Sequence, residues 1–432
     1  MAYDILAKAE KSGNRVDEVL HGELKTGKLT AQDRRFITRL VMGTTRMRGR
    51  LDSELATCYN GRYTSLEHAV KRLLRFGGYQ LRYMDSVPPY AAIDTTVTLA
   101  RDIRLVRAAG LVNAVLRDFS RRPPQEFSLS STEEIAAAYS HPEWLVERWL
   151  DQWGQEKTVT LMDWNNLEPT LWFRMRKEKG QQQFFRDTVH ELGLSSQSHP
   201  HLHDYVTVNP SPAPLLEPEY LARGSFIVQD PSSGAIVEAV DPQPGESIID
   251  LCAGPGGKTA LLADAVGSEG YILAYEIDHQ RVAMINDTVN RLELNNVDIY
   301  PGDATGKPLP KVNKILVDAP CMGTGVMARR ADLRWRRQPE NLGEMTTNQF
   351  KLLQHAARYL NAGGSLIYAT CSLEDEENWK LIQNFQNSHP NFYIDPMPEN
   401  VPQNWIDSGG ALCTFPPDDH VDGVFAVRLK KS

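Results

Sequence analysis

Apolar residues recur at three- and four-residue spacing through AQDRRFITRLVMGTTRMRGRLDSEL, LEHAVKRLLRFGGYQLRYMD and AAGLVNAVLRDFSRR, the period of amphipathic helices. Residues 1–125 are therefore expected to form an all-helical domain. Pro123, Pro124 and the serine-rich SLSST open a linker, and a further helical piece surrounds HPEWLVERWLDQW. Between Pro169 and Val208 a strand-like LWFRM, a helix-like QQQFFRDTVHELG and a strand-like YVTV follow, so 126–223 reads as linker plus a small α/β connector. From about Gly224 the pattern changes to short apolar runs (SIIDLC, YILAYEI, VDIY, KILVDA, SLIYAT), each followed by a helical stretch. That alternation predicts a doubly wound α/β domain over 224–432, a parallel sheet with helices on both faces. Ligands in such sheets lie beyond the carboxyl ends of the strands, where this chain carries a glycine-rich turn, acids and two cysteines.

At 432 residues the chain exceeds one ordinary domain, and 41% hydrophobic with 24% charged residues describes a globular protein. No apolar run approaches the roughly 18 residues of a membrane span. The start, MAYDILAKAEKSGNRVDEVL, lacks a basic end followed by an apolar stretch, so a cytoplasmic location without membrane contact is expected. The five cysteines, Cys58, Cys252, Cys321, Cys371 and Cys413, are far apart and form no CxxC pair, which predicts thiols and neither disulfides nor metal. The net charge of -8 hides an asymmetry: Met1 to Arg122 holds 22 Lys and Arg against 13 Asp and Glu, leaving 25 against 42 in the remainder. Arg34, Arg35, Arg39, Arg46, Arg48 and Arg50 crowd one stretch of this basic head. Such clustering suits a phosphate backbone, although a solvated helix face gives the same pattern.

IIDLCAGPGGKTA runs from strand through glycines to helix, with Gly254, Gly256 and Gly257 permitting a sharp turn close to a ligand. Glu276 ends the next candidate strand, where a carboxylate can hold both hydroxyls of a ribose. A phosphate-binding loop would need glycine where Cys252 stands, and a dinucleotide turn would need glycine where Thr259 stands. S-adenosylmethionine carries no pyrophosphate and needs fewer glycines, and Lys258 suits its carboxylate; a solvated first-turn lysine is the plain alternative. Asp303 in PGDAT is placed to accept from an adenine amino group, or simply to make an Asx turn.

VDAPCMGTG puts Asp318, Pro320 and Cys321 at one strand end, and IYATCSLEDEEN puts Cys371 at the next. A single cysteine is most often a small buried hydrophobe. A pair beside an acid and a donor turn fits pyrimidine methylation: a thiolate adding to carbon 6 of cytosine makes carbon 5 nucleophilic. Asp318, with a pKa raised by burial, would contact ring nitrogen 3, and a second cysteine would assist elimination. The target base must be single-stranded or flipped out. MARRADLRWRR follows Cys321, and Arg329, Arg330, Arg334, Arg336 and Arg337 around Trp335 combine charge with a stacking face; internal ion pairs and a core Trp are the alternative.

QDPSSGAIVEAV, DLCAGPGGKT, VDAPCMGTGV, ATCSLEDEEN and HVDGVFAVRL, in this order, resemble the Sun/Fmu-type RNA cytosine-5 methyltransferases, and AQDRRFITRLVMGTTR with GLVNAVLR is similar to the NusB-like RNA-binding domain of their bacterial subgroup. The resemblance covers nearly the whole chain. It implies a Rossmann-like S-adenosylmethionine-dependent domain behind a NusB-like head, acting on 16S ribosomal RNA. It also makes Cys371 the nucleophile and Cys321 the cysteine that helps release product. Cys252, Ala253, Gly254, Pro255, Gly256, Gly257 and Lys258, with Glu276, Asp303 and Asp318, are assigned to the S-adenosylmethionine site. Met322, Gly254, Arg176 and Trp379 depart from the family pattern, where Ser, Ala, Asn and Glu are usual, and VDGVF lacks one of the usual paired aromatics. A transfer RNA substrate and a non-catalytic ribosome-assembly factor are the rival readings; the head argues against the first and the intact cysteine pair against the second. The chain is expected to act as a monomer, with RNA as its partner.

Overall fold

In the computed structural model, which describes residues 1–26, 29–177 and 179–432, the amphipathic periods of the N-terminal stretch become helices Ala2–Ser12, Val16–Thr26, Ala31–Arg46, Arg48–Ala56, His68–Tyr83, Pro89–Asp102 and Val106–Arg121. Their apolar faces, including Leu40, Val41, Leu51, Leu55, Leu73, Leu74, Val112 and Leu116, form one core. Thr30 and Asp33 close a reciprocal capping box at the start of Ala31–Arg46, satisfying two backbone donors that helix geometry leaves open. Helices Thr132–Tyr139 and Glu143–Asn166 follow, the latter broken at Gly154 (φ 76°).

Two compact units result: Met1–Glu168 together with Met327–Pro339, and Pro169–Val326 together with Glu340–Ser432. The first thus includes a short strap from late in the sequence, and the strap contains the whole of MARRADLRWRR. Arg334 is completely buried there. Its guanidinium donates to the carbonyls of Ser140 (3.1 Å) and Asn165 (2.9 Å) and to Asn166 Oδ1 (2.8 Å), so it fastens the strap and is closed to a phosphate. Trp335 donates to the Thr45 carbonyl (2.7 Å) and Arg46 to that of Ala328 (2.9 Å). Arg336 meets Asp332 at 3.4 Å, and Arg329 and Arg330 are half-buried. In the helix Ala31–Arg46, Arg35 is exposed and Arg34 half-buried.

The second unit holds two sheets. The smaller consists of β1 (Phe173–Met175), β2 (Ser195–Ser198), β3 (Tyr205–Asn209) and β4 (Phe226–Val228), ordered β2-β3-β1-β4 and antiparallel, with helix Lys179–Glu191 packed on it. The larger contains β5 (Ser247–Leu251), β6 (Tyr271–Glu276), β7 (Val297–Pro301), β8 (Val312–Asp318), β9 (Leu360–Thr370), β10 (Phe392–Ile394), β11 (Leu412–Cys413) and β12 (Phe425–Lys431). Its order is β10-β12-β9-β8-β5-β6-β7, with β11 alongside β12. β5 to β9 run parallel, whereas β12 lies antiparallel to β9 and carries β10 and β11, also antiparallel. The five strands read from the sequence are β5 to β9 and run parallel as expected; the antiparallel β10, β11 and β12, which were not expected, make the whole sheet mixed, in a Rossmann-like arrangement. Alternate residues feed two separate cores: Ile248, Ile272, Leu316 and Ile367 face helices Pro231–Val240 and Gly257–Val266, while Ile249, Ile315 and Leu366 face helices Glu340–Tyr359 and Trp379–Ser388. Burial on both faces explains why these strands read as unbroken apolar runs.

Candidate active site

β5 lies between β6 and β8, so the chain must cross from one side of β5 to the other between β7 and β8. That crossing opens a crevice at the strand ends. Leu251, Glu276, Pro301, Asp318 and Thr370 all close their strands on that edge, and the residues expected from sequence follow them.

The turn after β5 depends on its backbone. Cys252, Gly254 and Gly256 have φ of 66°, 58° and 89°, and a Cβ on Gly256 would stand 3.2 Å from Ile285 Cα. Ala253 donates its N–H to the Tyr275 carbonyl (2.9 Å), tying the turn to β6. Pro255 is exposed and Gly257 opens the following helix. Glu276, only 3% exposed, accepts from the N–H of Gly254 (2.8 Å) and of Asp278 (2.9 Å). It thus shapes the turn as well as facing its mouth. Asp303 is exposed and caps the turn behind it through Thr305 N–H and hydroxyl (both 2.8 Å), which is the Asx arrangement; its second oxygen is outside that turn.

Lys258 and Asp318 meet at 2.8 Å. The pairing stands beside the partners expected from sequence, the donor's carboxylate for Lys258 and the base for Asp318. Burial opposes the Lys258 charge, but Asp318 outweighs it and raises the pKa, with a smaller contribution from Cys371. An ammonium has three donors, so Lys258 retains two beyond Asp318. At the root of the turn Asp250 is fully buried, with one oxygen accepting from Thr259 (2.7 Å) and the other without a partner. Burial pushes it up to about 7.

Cys321 and Cys371 bring their Sγ atoms to 3.3 Å. The loops bearing them are stitched together: Ala319 N–H donates to Ala369 O (2.8 Å), Gly325 N–H to Cys371 O (3.0 Å) and Leu373 N–H to Thr324 Oγ1 (2.8 Å). A Cβ on Gly325 would stand 2.1 Å from the Gly423 carbonyl, so the glycines of GTG and VDG allow the closing strand to press on this loop. Cys321 is buried and its thiol is driven well above its ordinary range, first by its hydrogen bond with Cys371 and then by burial. Cys371 is half-buried.

Sequence reasoning missed the support behind Cys321. Glu377, completely buried, accepts from Met322 N–H (3.0 Å) and Gln349 Nε2 (2.8 Å), and Gln349 also donates to the Pro320 carbonyl (2.9 Å). One carboxylate-amide pair therefore fixes the backbone on both sides of the cysteine. EEN in ATCSLEDEEN was the available signal. Among the departures from pattern, Arg176 pairs with Asp264 (2.7 Å) and Trp379 donates to Asp407 (2.7 Å), both structural contacts. Among the described residues no group of three or more His, Cys, Asp or Glu is placed to hold a metal, and no helix is long and apolar enough to cross a membrane.

Residues 237–430 match the model of the 16S rRNA methyltransferase RsmB/F family, residues 1–121 that of the NusB family, and residues 141–212 that of an RsmF/B-like ferredoxin-like domain. A probable ribosomal RNA small subunit methyltransferase B of Synechocystis sp. is 32% identical over 100% of this chain and 99% of its own. The solved structure of PH0851 covers 96% of this chain and 94% of its own, with 26% identity and a TM-score of 0.82. That of a methyltransferase homolog from Pyrococcus horikoshii covers 70% and 99%, with 25% identity and a TM-score of 0.59. With a helical head of the NusB family, a Rossmann-like sheet and full-length likeness to such a relative, the chain belongs to the ribosomal RNA small subunit methyltransferase B family.

Proposed function

We propose that this chain transfers a methyl group from S-adenosylmethionine to carbon 5 of a cytosine in 16S ribosomal RNA, with Cys371 as nucleophile. The observation that carries the reading is the pair of sulfurs 3.3 Å apart at adjacent strand ends, beside the Lys258–Asp318 pair. The names of the full-length relatives support ribosomal RNA as substrate.

S-adenosylmethionine, when bound, supplies the methyl group. The turn fits it: Gly256, whose φ of 89° and close approach to Ile285 suit glycine, shapes it, and Glu276, Asp303 and Lys258 stand at the mouth with capacity for hydroxyls, an amino group and a carboxylate. Cys321 keeps its proton, because its pKa is raised, and as a thiol donates toward Cys371; with the Lys258 ammonium nearby, this favours the Cys371 thiolate. The thiolate bonds to carbon 6 of the extruded cytosine, and the ring's electron pair becomes available at carbon 5. Asp318, at the same strand end and paired with Lys258, accepts a hydrogen bond from ring nitrogen 3 once that atom has taken a proton from water as carbon 6 is attacked. After methylation water takes the proton from carbon 5, the freed C–H electron pair re-forms the carbon 5–carbon 6 double bond, and the carbon 6–sulfur bond breaks so that Cys371 leaves as thiolate, assisted by the hydrogen bond that the Cys321 thiol donates to the departing sulfur.

Methyl transfer from labelled S-adenosylmethionine to small-subunit RNA tests the assignment. Cys371→Ala should abolish transfer, and Cys321→Ala should accumulate a covalent protein–RNA adduct that disappears in the double variant. Full activity of Cys371→Ala, or a label on an atom other than cytosine carbon 5, would overturn the reading.

A further inference from the structure

A cavity of about 240 Å³ in the helical unit lies between its first helices and the strap. It opens past the exposed Glu10, Gly13 and Asn14 and is floored by Leu6, Ala9 and Val16. Its polar lining is incompletely satisfied. Asp332 is 3% exposed; one carboxylate oxygen takes Val16 N–H (3.3 Å) and Arg336, and the other has no partner. Thr44 is also 3% exposed, and its hydroxyl has none. Arg72 and Arg75, on the same wall, are paired with Glu10 and Asp52. Arg48 differs: its half-buried guanidinium lies 5.3 Å over the Trp335 ring, and no acceptor for it is found among the described residues.

Leaving a buried acceptor unpaired costs about 1–3 kcal/mol, and here one cavity is lined by Asp332 and Thr44, each holding such an atom, and by Arg48, on which Asp52 and Glu10 act only through space. A ligand suited to this lining donates to a carboxylate, accepts from a guanidinium and is flat enough to lie against a guanidinium–indole stack. An anion fails the first requirement and an apolar group fails both polar ones. A purine carrying adjacent N–H donors and a carbonyl acceptor meets all three.

Building on the reading of RNA as substrate, we infer that this cavity binds one unstacked guanine of the RNA, with the Asp332 carboxylate accepting from its N1–H and 2-amino edge and Arg48 donating to O6 and N7. Carboxylate acceptance from base N–H groups and guanidinium contact with O6 and N7 are the chemistries by which these edges are read, and unpaired RNA bases stack on aromatic and arginine planes. The strap is thereby a recognition element through its cavity-facing side, Asp332 and Trp335, and not through Arg334.

Binding of a labelled oligouridine to the full-length protein is compared with that of the same RNA carrying one central G, or inosine, which lacks the 2-amino group. Guanine should bind about tenfold tighter than uridine, with inosine between them. Arg48→Gln and Asp332→Asn should each bring guanine within about twofold of uridine. Thr44→Val, which keeps the shape and removes only the hydroxyl, should reduce the preference while leaving the melting temperature at or above that of the parent; it remains decisive if the other variants fold poorly. Equal binding of the RNAs by the parent protein, preference for another base, or a guanine preference unchanged in all variants would overturn the inference. Methyl transfer to small-subunit RNA, measured alongside, separates the two readings: transfer without guanine preference removes this site alone, and guanine preference without transfer leaves it standing.

Discussion

Glu377 shows how much of the chemistry rests on a residue that touches no reactant. It holds Met322 N–H and, through Gln349, the Pro320 carbonyl, so Cys321 is held to face Cys371. Burial raises its pKa from the ordinary 4.5 to about 6. Between those values the folded protein binds a proton that the unfolded chain does not, so this group adds stability as pH falls through 6 and the gain is complete below 4.5. Above 6 the ionised form costs about 2 kcal/mol. Relative to Glu377→Gln, the parent should therefore gain about 2 kcal/mol of unfolding free energy between pH 7 and pH 4.5 in denaturant titrations. Parallel profiles would show that burial does not govern this carboxyl. The cysteines, Lys258 and Glu276 were legible in sequence because each sits in a short motif at a strand end; Glu377 and Gln349 were not, since their value arises from a contact between separate elements.

At the scale of elements, the turn after β5 is where local sequence and chemistry coincide most closely. Gly256 has φ 89° with the Ile285 backbone opposite, and a left-handed conformation costs other residues roughly 1–2 kcal/mol. Gly256→Ala should weaken S-adenosylmethionine binding at least tenfold in calorimetric titration while β5 and its partners remain folded. Unchanged affinity would remove the turn from the donor site. The central strands were readable because both faces are buried; β2, the fully exposed SSQS, offered no apolar signal, and β10 and β11 are too short to show a period. The antiparallel setting of β12 was hidden for another reason: strand direction depends on how the chain returns to the sheet, which its residues do not encode. At Arg334 the arginine pattern was ambiguous, since an arginine satisfied by buried carbonyls has the same sequence signature as one that meets phosphate.

At the scale of the molecule, the helical unit is assembled from two separate stretches of chain. Cutting between Glu168 and Pro169 with an inserted protease site should leave fragments that co-elute on size exclusion, because Arg334 still holds the carbonyls of Ser140 and Asn165 and Trp335 that of Thr45. Arg334→Met should loosen the cut protein at least tenfold, since hydrogen bonds to a buried charge contribute about 1.5–3 kcal/mol each; co-elution unaffected by that change would show that the strap is not the fastener. The same discontinuity bears on how the protein is made. When Glu168 leaves the ribosome, the helical unit lacks the segment that closes it, and it must wait until Pro339 has emerged, by which time β1 to β8 have been synthesised. The head therefore cannot finish folding on its own schedule; its completion is timed by the growth of the catalytic unit that follows it.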